Sequence, residues 1–339
     1  MTTANPFLVE VGRGTLVESR HRGSIAVVDV SGALVFSLGE LETPVFPRSA
    51  VKSFQALVMV ESGAPERYKL GNEDLALACA SHGGEPAHVE GAARMLARAG
   101  LDATALACGV HWPSHQASAQ ALARSGGRAT ALHNNCSGKH AGFVCAACAL
   151  GVDHRGYETP GHPVQRAVKA AMENVAGVAI PDALRATDGC SVPTWALPLT
   201  ALARAFARYA TGQGLAPERA RAARRLMAAC AAHPWQVAGT GRFCTRVMEH
   251  FRERVFVKTG AEGVFCGAIP SAGVGIAIKC DDGAARAAEV VMAAMIARFL
   301  PLDDADRLAL EPLLRPVLRN WNGIEVGTIA PAKGLLPGA

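Results

Sequence analysis

The sequence lacks a cluster of positive charge and has few aromatic residues. Its net charge is only +5, lysines and arginines are spread along the chain, and aromatic residues make up 5% of it. A nucleic-acid-binding protein is expected to concentrate its basic residues on one face. The composition therefore indicates an ordinary solvated surface and argues against nucleic-acid binding.

Long apolar runs, low-complexity tracts and internal repeats are also absent. Half of the 339 residues are hydrophobic and 19% are charged, which is typical of a soluble protein with a large core. No apolar stretch reaches the roughly 18 residues that a membrane helix needs. Residues 1–14 do not join a basic segment to an apolar one, as a signal peptide would. We therefore expect no membrane partner.

The ten cysteines show no regular spacing. In a chain of this length, irregularly placed cysteines do not indicate a disulfide framework. Free thiols persist in a reducing compartment. We therefore expect the protein to be cytoplasmic.

Lysine is scarce, because arginine supplies most of the positive charge. The seven lysines stand at positions 52, 69, 139, 169, 258, 279 and 333. Three of them, Lys52, Lys139 and Lys258, lie in motifs with other reactive or polar residues. These three lysines are therefore less easily explained as solvent-exposed residues without a specific role.

Strand patterns lie at both ends of the chain and helical patterns in the middle. Residues 7–11, 15–17 and 24–30 alternate or run apolar with β-branched residues, and Ser31-Gly32 is typical of a hairpin turn. The C-terminal part predicts strands at 255–258, 264–269, 272–279 and 324–329. The simplest closure is an α+β fold, in which both chain ends form one mixed, mainly antiparallel sheet flanked by helices. We predict a single domain over residues 1–339 with a helical middle over about 60–250, which is compatible with a subdomain.

Helical periodicity predicts the remaining elements. We expect Asn72 to cap the helix that follows it, because asparagine is a preferred N-cap residue. The predicted helices are 53–60, 72–80, 86–99, 115–124, 163–176, 197–210, 217–232, 284–299 and 303–316, with one more after Lys139.

The motif Arg48–Lys52 offers a nucleophile and a base. Ser49 and Lys52 are three residues apart at the start of an apolar helical run, and residues at i and i+3 share a helix face. In an apolar pocket the lysine amine loses solvation, so its neutral form is favoured and it can accept the serine proton. Ser-x-x-Lys also occurs by chance in many helices. The motif is therefore weak evidence by itself.

Two further motifs strengthen the interpretation of Ser49 and Lys52 as a catalytic pair. Ser81-His82-Gly83-Gly84-Glu85 follows a predicted helix, and Lys258-Thr259-Gly260 ends a β-branched strand. Ser-x-x-Lys, a serine motif and Lys-Thr-Gly occur in this order in penicillin-recognising enzymes. Here the middle motif reads Ser-His-Gly rather than Ser-Asp-Asn, and its glycines could instead form a helix-capping turn. The ordered trio is moderately specific.

Cysteines on two predicted loops suggest a metal site. Cys136 lies with Lys139 in Asn134–His140, and Cys190 follows Asp188 on a turn. Two thiolates could bind zinc with further ligands such as water, a histidine or an unusual amine. Small buried cysteines are the alternative, and Cys244 is a third thiol that could lie nearby. The residues alone leave both explanations open.

Other polar residues receive no role. Cys145 and Cys148 form a Cys-x-x-Cys pair inside an apolar helical segment without a second pair, so we interpret them as core residues. Glu85 and His88 could face a site, but a solvated helix start explains them equally well.

Six ordered motifs together resemble the Rhizobium-type L-asparaginase II family over about residues 7–330. They are Arg48–Lys52, Ser81–Glu85, Asn135–His140, Asp188–Pro193, Ala238–Phe243 and Lys258–Gly263. The resemblance implies a fold like that of penicillin-binding proteins and serine β-lactamases. It also implies a homodimer that hydrolyses L-asparagine to L-aspartate and ammonia.

The resemblance further implies roles for individual residues. Ser49 with Lys52 and Ser81 with Lys258 would form two catalytic Ser-Lys pairs, and Arg48 and Asp188 would contact the substrate. A zinc ion would be held by Cys136, Lys139 and Cys190 with water. Cys244 stands where the family keeps a third thiol near this metal.

Three rival functions remain open from the sequence. A serine-dependent glutaminase is the nearest, because one extra methylene discriminates by only about 1–3 kcal/mol. A β-lactamase or peptidase is suggested by Lys-Thr-Gly, but the missing Ser-Asp-Asn argues against it. A zinc or amino-acid sensor is the third, although a binding protein has no need of two Ser-Lys pairs.

Overall fold

The computed structural model describes residues 4–336. They form two compact units. Unit 1 contains the described residues up to Ala50, Ala196–Thr211 and the described residues from His250 onward, and unit 2 contains Val51–Trp195 and Gly212–Glu249. That the whole chain acts as one domain stays a prediction.

The described residues form ten strands, numbered in chain order. They are β1 Phe7–Arg13, β2 Leu16–Asp29, β3 Leu34–Leu38, β4 Arg185–Thr187, β5 Pro193–Trp195, β6 Phe256–Thr259, β7 Val264–Ile269, β8 Val274–Cys280, β9 Val317–Arg319 and β10 Glu325–Pro331.

Thirteen α-helices lie in the same residues. They are α1 Lys52–Glu61, α2 Ala64–Arg67, α3 Asn72–Ala78, α4 Pro86–Arg98, α5 Gln116–Arg124, α6 Ser137–Ala149, α7 Pro163–Ala176, α8 Leu199–Thr211, α9 Pro217–Ala232, α10 Pro234–Ala238, α11 Phe243–Phe251, α12 Ala285–Phe299 and α13 Asp304–Leu314. Short 3-10 turns cover Arg48–Val51, Ala103–Ala105, Ala131–His133, Asp182–Leu184, Arg252–Arg254 and Pro270–Ala272. No helix within residues 4–336 has both the length and the hydropathy that a membrane crossing requires.

Unit 1 is built on an eight-stranded sheet made from both ends of the chain. Its strand order is β6-β7-β8-β2-β1-β10-β9, and β3 pairs with β2. Every pairing among its described strands is antiparallel. The predicted α+β class and the joining of the chain ends in one sheet are confirmed.

One long strand, β2, joins the two parts of this sheet. Its first half pairs with β1, and residues from Gly23 to Asp29 pair with β8. The sequence predicted two shorter strands here, because the intervening Glu18–Arg22 is polar. Most of those side chains are exposed or half-exposed, so hydrogen bonding to β1 continues where the apolar pattern stops.

Helices α8 and α12 cover the sheet of unit 1 with apolar side chains. Phe206 of α8, Met292 of α12 and Ile278 of β8 are each fully buried, and both helices contact β7 and β8. A sheet with one buried face needs such a layer, because its apolar side chains must leave water.

Unit 2 is a helical assembly around α1 and α6. Both helices contact α3 and α7, and eleven consecutive residues of α6, Ser137 to Ala147, are buried. A helix that is buried all round belongs to the interior of a domain. The polar residues of these two helices are therefore enclosed by protein, which matters for their chemistry.

The sequence missed several elements. The sequence pattern did not predict α10, α11, β9 or the hairpin β4–β5, because each is short or carries mixed polar and apolar residues. The prediction that Asn72 caps α3 is wrong. Gly71 is the N-cap, and its N–H donates to the Asp74 carboxylate at 2.9 Å, so the third helical residue satisfies the helix start.

A buried carboxylate, Asp306, should stabilise unit 1 at neutral pH. It accepts hydrogen bonds from Arg254, at 2.5 and 2.9 Å, and from His250 at 2.8 Å, and the Arg254 hydrogen bond holds its pKa well below the usual range. A depressed pKa contributes stability above the unfolded pKa of about 3.9 and loses it as pH falls further. Asp306→Asn should therefore lower the free energy of unfolding at pH 7 by about 1–2 kcal/mol, since both partners are partly exposed.

Urea unfolding at pH 7 and pH 3 measures this difference. The deficit of the variant should shrink at pH 3, because the Asp306 carboxylate takes up a proton in the unfolded chain while it stays ionised in the folded protein. Asp304→Asn is the matched control, because Asp304 is exposed on the same helix. Equal stability of wild type and Asp306→Asn at pH 7 would refute the role.

Candidate active site

The predicted nucleophile lies on a strained turn that leads into a buried helix. Ser49 belongs to the 3-10 turn Arg48–Val51, and α1 begins directly after it at Lys52. Arg48 has φ of 51°, a left-handed conformation that non-glycine residues rarely adopt. Ser49 is partly exposed, whereas Lys52 is 1% exposed. Strained backbone of this kind is common at functional sites.

The Lys52 amine connects three of the sequence motifs. Its Nζ donates to the carbonyl of Ala80 at 2.6 Å and to that of Asn135 at 3.3 Å. Ala80 immediately precedes Ser81, and Asn135 immediately precedes Cys136. The lysine of the first motif therefore fixes the backbone ahead of the serine motif and ahead of the cysteine motif.

Ser81 lies in a buried segment, 8% exposed, after the end of α3. Its N–H donates to the Val237 carbonyl at 2.9 Å, and the N–H of His82 donates to the Asn135 carbonyl at 3.2 Å. α3 already ends at Ala78, with Cys79 in a right-handed cap. The glycines that follow Ser81 do not cap this helix, so the capping-turn alternative is wrong.

The three predicted zinc ligands lie together within unit 2. Lys139 Nζ is 3.0 Å from Cys190 Sγ, and the thiols of Cys136 and Cys190 are hydrogen-bonded to each other. All three side chains are buried, with 2–4% exposure. Gly138 permits this placement, because a Cβ there would come 2.3 Å from the Leu77 carbonyl oxygen.

Their charges balance one another. The hydrogen bond from Cys190, together with the ammonium group of Lys139, holds the pKa of Cys136 well below its usual range. The same shared proton and burial raise the pKa of Cys190. Burial lowers the pKa of Lys139, but the two sulfurs raise it by more. The cluster is thus a thiolate, a thiol and an ammonium.

This donor set fits a zinc ion. Two sulfurs and one nitrogen are ligands that zinc prefers, and a tetrahedral ion would place a sulfur and a nitrogen ligand about 3.6 Å apart, given its usual bond lengths. The observed 3.0 Å is a hydrogen-bond distance, so the side chains would need to separate only slightly. No group of three His, Cys, Asp or Glu side chains in residues 4–336 has metal-site geometry. Any site here therefore needs the lysine.

Asp188 lies beside this cluster on the turn between β4 and β5. Its Oδ2 is 3.6 Å from Cys190 Sγ, and its Oδ1 accepts from the Gly189 N–H at 2.9 Å. Ser191, the next residue after Cys190, has φ of 76°. The turn is thus a second strained segment next to predicted site residues. Cys244 is buried on α11, and its proximity to the metal site stays a prediction.

Lys258 and Arg48 belong to unit 1. Lys258 is 1% exposed on β6, opposite Cys266 of β7. Arg48 lines a cavity of about 1100 Å³ together with Lys279, Glu262 and other residues of unit 1. The pairing of Lys258 with Ser81 stays a prediction, as does the contact of Arg48 with substrate.

The sequence did not predict that two residues which follow Ser81 are buried. Glu85 is 6% exposed and His88 is fully buried, so the solvated-helix alternative is wrong for both. The sequence carried no signal for this burial, because the proline after Glu85 indicates only that a helix begins there. The rejected pair Cys145 and Cys148 is indeed in a helix, and burial raises the pKa of Cys145 to about 12, as expected of an inert core thiol.

Comparison with known proteins identifies the family. The profile of the L-asparaginase II family matches residues 9–331. None of the curated proteins matches the chain. Among solved structures, the chain is similar to a β-lactamase from Mycobacterium bovis, with 14% identity, coverage of 78% of this chain and 89% of that chain, and a TM-score of 0.36. It is also similar to a protein named Mglu, with 17% identity, coverage of 85% and 69%, and a TM-score of 0.35.

At these scores the two structures support no conclusion about substrate or mechanism. The family match covers nearly the whole chain and includes all six motifs. The chain therefore belongs to the L-asparaginase II family and is a hydrolase that acts on a linear amide, with the activity of an L-asparaginase.

Proposed function

We propose that this L-asparaginase hydrolyses its substrate through Ser-Lys nucleophilic catalysis. The observation that supports this most directly is the Lys52 amine, which is buried, lies three residues after Ser49 and bonds the backbone next to Ser81 and Cys136. A lysine without a role in the site would remain in solvent, because burying an amine costs free energy. Burial in one fixed position is expected of a catalytic amine, because catalysis requires a defined geometry.

The reaction begins at Ser49. Lys52 accepts the Ser49 proton, and Oγ attacks the side-chain amide carbon of asparagine. The carbon–nitrogen bond then breaks, the nitrogen leaves with a proton as ammonia, and an aspartyl ester remains on Ser49. Water attacks this ester, which releases L-aspartate and restores the serine.

The remaining site residues assist these steps. Ser81, with Lys258, passes a proton to the departing nitrogen, and the Asp188 carboxylate pairs with the substrate ammonium. Arg48 contacts the substrate from the turn that carries Ser49. These roles come from the family resemblance, and the burial of Ser81 and Lys258 supports them, because exclusion of water strengthens electrostatic contacts.

The developing oxyanion needs backbone donors. The Ser49 N–H is one. A second is expected from the chain after Lys258, where the Gly260 N–H already donates to the Val264 carbonyl at 2.8 Å. Because the Gly260 N–H is engaged, we expect the second donor to be another backbone N–H after Lys258.

Cys136, Lys139 and Cys190 would hold a zinc ion, with water as a further ligand. Bound there, zinc would supply positive charge beside Asp188, in a region that faces the α-carboxylate of the substrate in this proposal. Metal binding requires a neutral Lys139 and two thiolates. The role of the three side chains is therefore to bind and orient rather than to attack.

We also propose a homodimer in the cytoplasm. The family resemblance supports the dimer, and so does the poor burial of α5, which has no buried residue and follows the exposed Val110 and Trp112. Ten free cysteines support a reducing compartment. Sedimentation of the purified protein at the mass of one chain would contradict the dimer.

Purified protein should release ammonia from L-asparagine and much less from L-glutamine at equal concentration. The extra methylene of glutamine displaces the amide carbon from Ser49, which costs about 1–3 kcal/mol, or about 10–200-fold in kcat/KM. A coupled ammonia assay measures both rates. Release from glutamine alone would replace the proposal with a glutaminase, and no release from either would reject it.

Replacing Ser49 by alanine should lower kcat for asparagine by more than about a thousandfold, as is typical for loss of a nucleophile. Ser53→Ala is the matched control, because Ser53 lies on α1 beside Lys52, is fully buried and has no hydrogen-bond partner for its Oγ. It should keep wild-type activity. Full activity of Ser49→Ala would refute its role.

Purified protein supplied with zinc should retain about one ion per chain, and Cys190→Ser should retain much less, because a serine hydroxyl is a poor zinc ligand. Elemental analysis after dialysis measures the stoichiometry. Cys148→Ser is the matched control, since Cys148 lies at the partly exposed end of α6. Equal zinc content in all three proteins would exclude this site.

A further inference from the structure

The segment from Ser81 to Glu85 is hydrogen-bonded at both ends to α10 and the loop that follows it. At one end, the Ser81 N–H donates to the Val237 carbonyl at 2.9 Å. At the other end, Glu85 accepts the Thr240 N–H on Oε1 at 2.9 Å and the Thr240 hydroxyl on Oε2 at 2.6 Å. The five residues from Ser81 to Glu85 are thus held between one contact to α10 and one contact to the loop that follows it.

The Glu85 carboxylate is buried and depends on these contacts. Glu85 is 6% exposed. A carboxylate that is removed from water needs hydrogen-bond donors from the protein. Thr240 supplies two, and His115 Nδ1 lies 3.6 Å from Oε2. Charge-assisted hydrogen bonds of this length are among the stronger ones in proteins. The Glu85–Thr240 contact therefore restrains the loop more than a neutral contact would.

Trp235 directs the Thr240 hydroxyl toward Glu85. The indole Nε1–H donates to Thr240 Oγ1 at 3.0 Å. Since the indole can only donate, the hydroxyl accepts from Trp235 and gives its own proton to Glu85. One orientation of the hydroxyl satisfies all three groups.

A stack of three rings holds the indole in turn. The His88 ring lies 4.0 Å from the Trp235 ring at 7°, and the His82 ring lies 4.6 Å from His88 at 8°. His82 Nδ1 accepts from the Gly84 N–H at 3.1 Å, which assigns the ring proton to Nε2, 3.0 Å from Ser137 Oγ. The stack therefore begins at the residue next to Ser81 and ends at the residue that orients Thr240.

Only glycine can occupy the position before Thr240. Gly239 has φ of 100°, and a Cβ there would lie 2.5 Å from Glu85 Oε1. Both the backbone conformation and the close approach exclude a side chain. The absence of a side chain at Gly239 thus allows the loop backbone to approach the Glu85 carboxylate closely.

We propose that Glu85 and Thr240 act as one clamp that positions Ser81 for its part in the reaction, an inference that rests on the role proposed above for Ser81. Neither residue is assigned a contact with substrate. Their function is to fix the Glu85 end of the segment, whose other end is held by the hydrogen bond from Ser81 to Val237, so that the Ser81 hydroxyl keeps one location during turnover. Small displacements of a catalytic group are costly, since reaction requires near-attack geometry.

Thr240→Val tests the clamp, because valine keeps the shape and removes the hydroxyl. We expect kcat for asparagine to fall by at least about tenfold while KM changes by less than about threefold, since the lost contact serves the reaction rather than substrate binding. Thr240→Ser restores the hydroxyl and should recover most of kcat. Thr159→Val is the matched control, because it removes one exposed threonine hydrogen bond to a turn carbonyl in the same unit.

Glu85→Gln provides a second route if Thr240→Val fails to fold. The double variant Glu85→Gln/Thr240→Val should be no slower than the slower single variant, because residues that act as one unit have non-additive effects. Independent, multiplied losses would overturn the clamp. So would unchanged kcat in Thr240→Val, or failure of Thr240→Ser to recover it.

Amide hydrogen exchange separates this inference from the proposed function. The peptide containing Ser81 should exchange faster in Thr240→Val than in wild type or Thr159→Val, because the hydrogen bond to Val237 opens more often. If wild type releases no ammonia, the proposed function fails, and unchanged exchange would additionally reject the clamp. Faster exchange with full activity would show that the clamp orders the segment but does not serve catalysis.

Discussion

A buried lysine amine is the constraint on which the site depends. Lys52 is buried on α1, and burial of its amine requires hydrogen-bond acceptors close to Nζ. The carbonyls of Ala80 and Asn135 are those acceptors. Because each precedes a motif residue, satisfying one amine also places Ser81 and Cys136. The backbone that follows α3 and the backbone that precedes α6 are therefore fixed by a single side chain.

The same requirement recurs throughout unit 2. Glu85 and His82 are buried polar groups whose partners, Thr240 and Ser137, come from distant parts of the chain. A buried polar group without its partner costs more than the hydrogen bond contributes. Such pairs therefore select one arrangement of the loops, whereas the apolar faces of the helices would tolerate several.

Much of the architecture could be predicted from the sequence, because alternation and helical periodicity report burial directly. α7 and α9 have the predicted bounds, and both chain ends form the sheet. The polar middle of β2 could not be predicted, since hydrogen bonding rather than burial defines it. α11 is buried at helical spacing, but it is short and its apolar residues are interrupted by polar ones. The site motifs were visible as residue types. The Lys52 and Glu85 contacts were not, because their partners lie many residues away and include backbone carbonyls that no sequence pattern marks.

The cluster of Cys136, Lys139 and Cys190 shows how charge can be conserved in a buried site. Without metal, the thiolate of Cys136 and the ammonium of Lys139 cancel, and Cys190 is neutral. Zinc held by these three groups would displace one proton from Lys139 and one from Cys190. Two positive charges leave as protons and two enter with the ion, so the net charge stays zero in both states. Burial therefore does not itself oppose exchange of protons for zinc, and a higher pH favours the zinc-bound state.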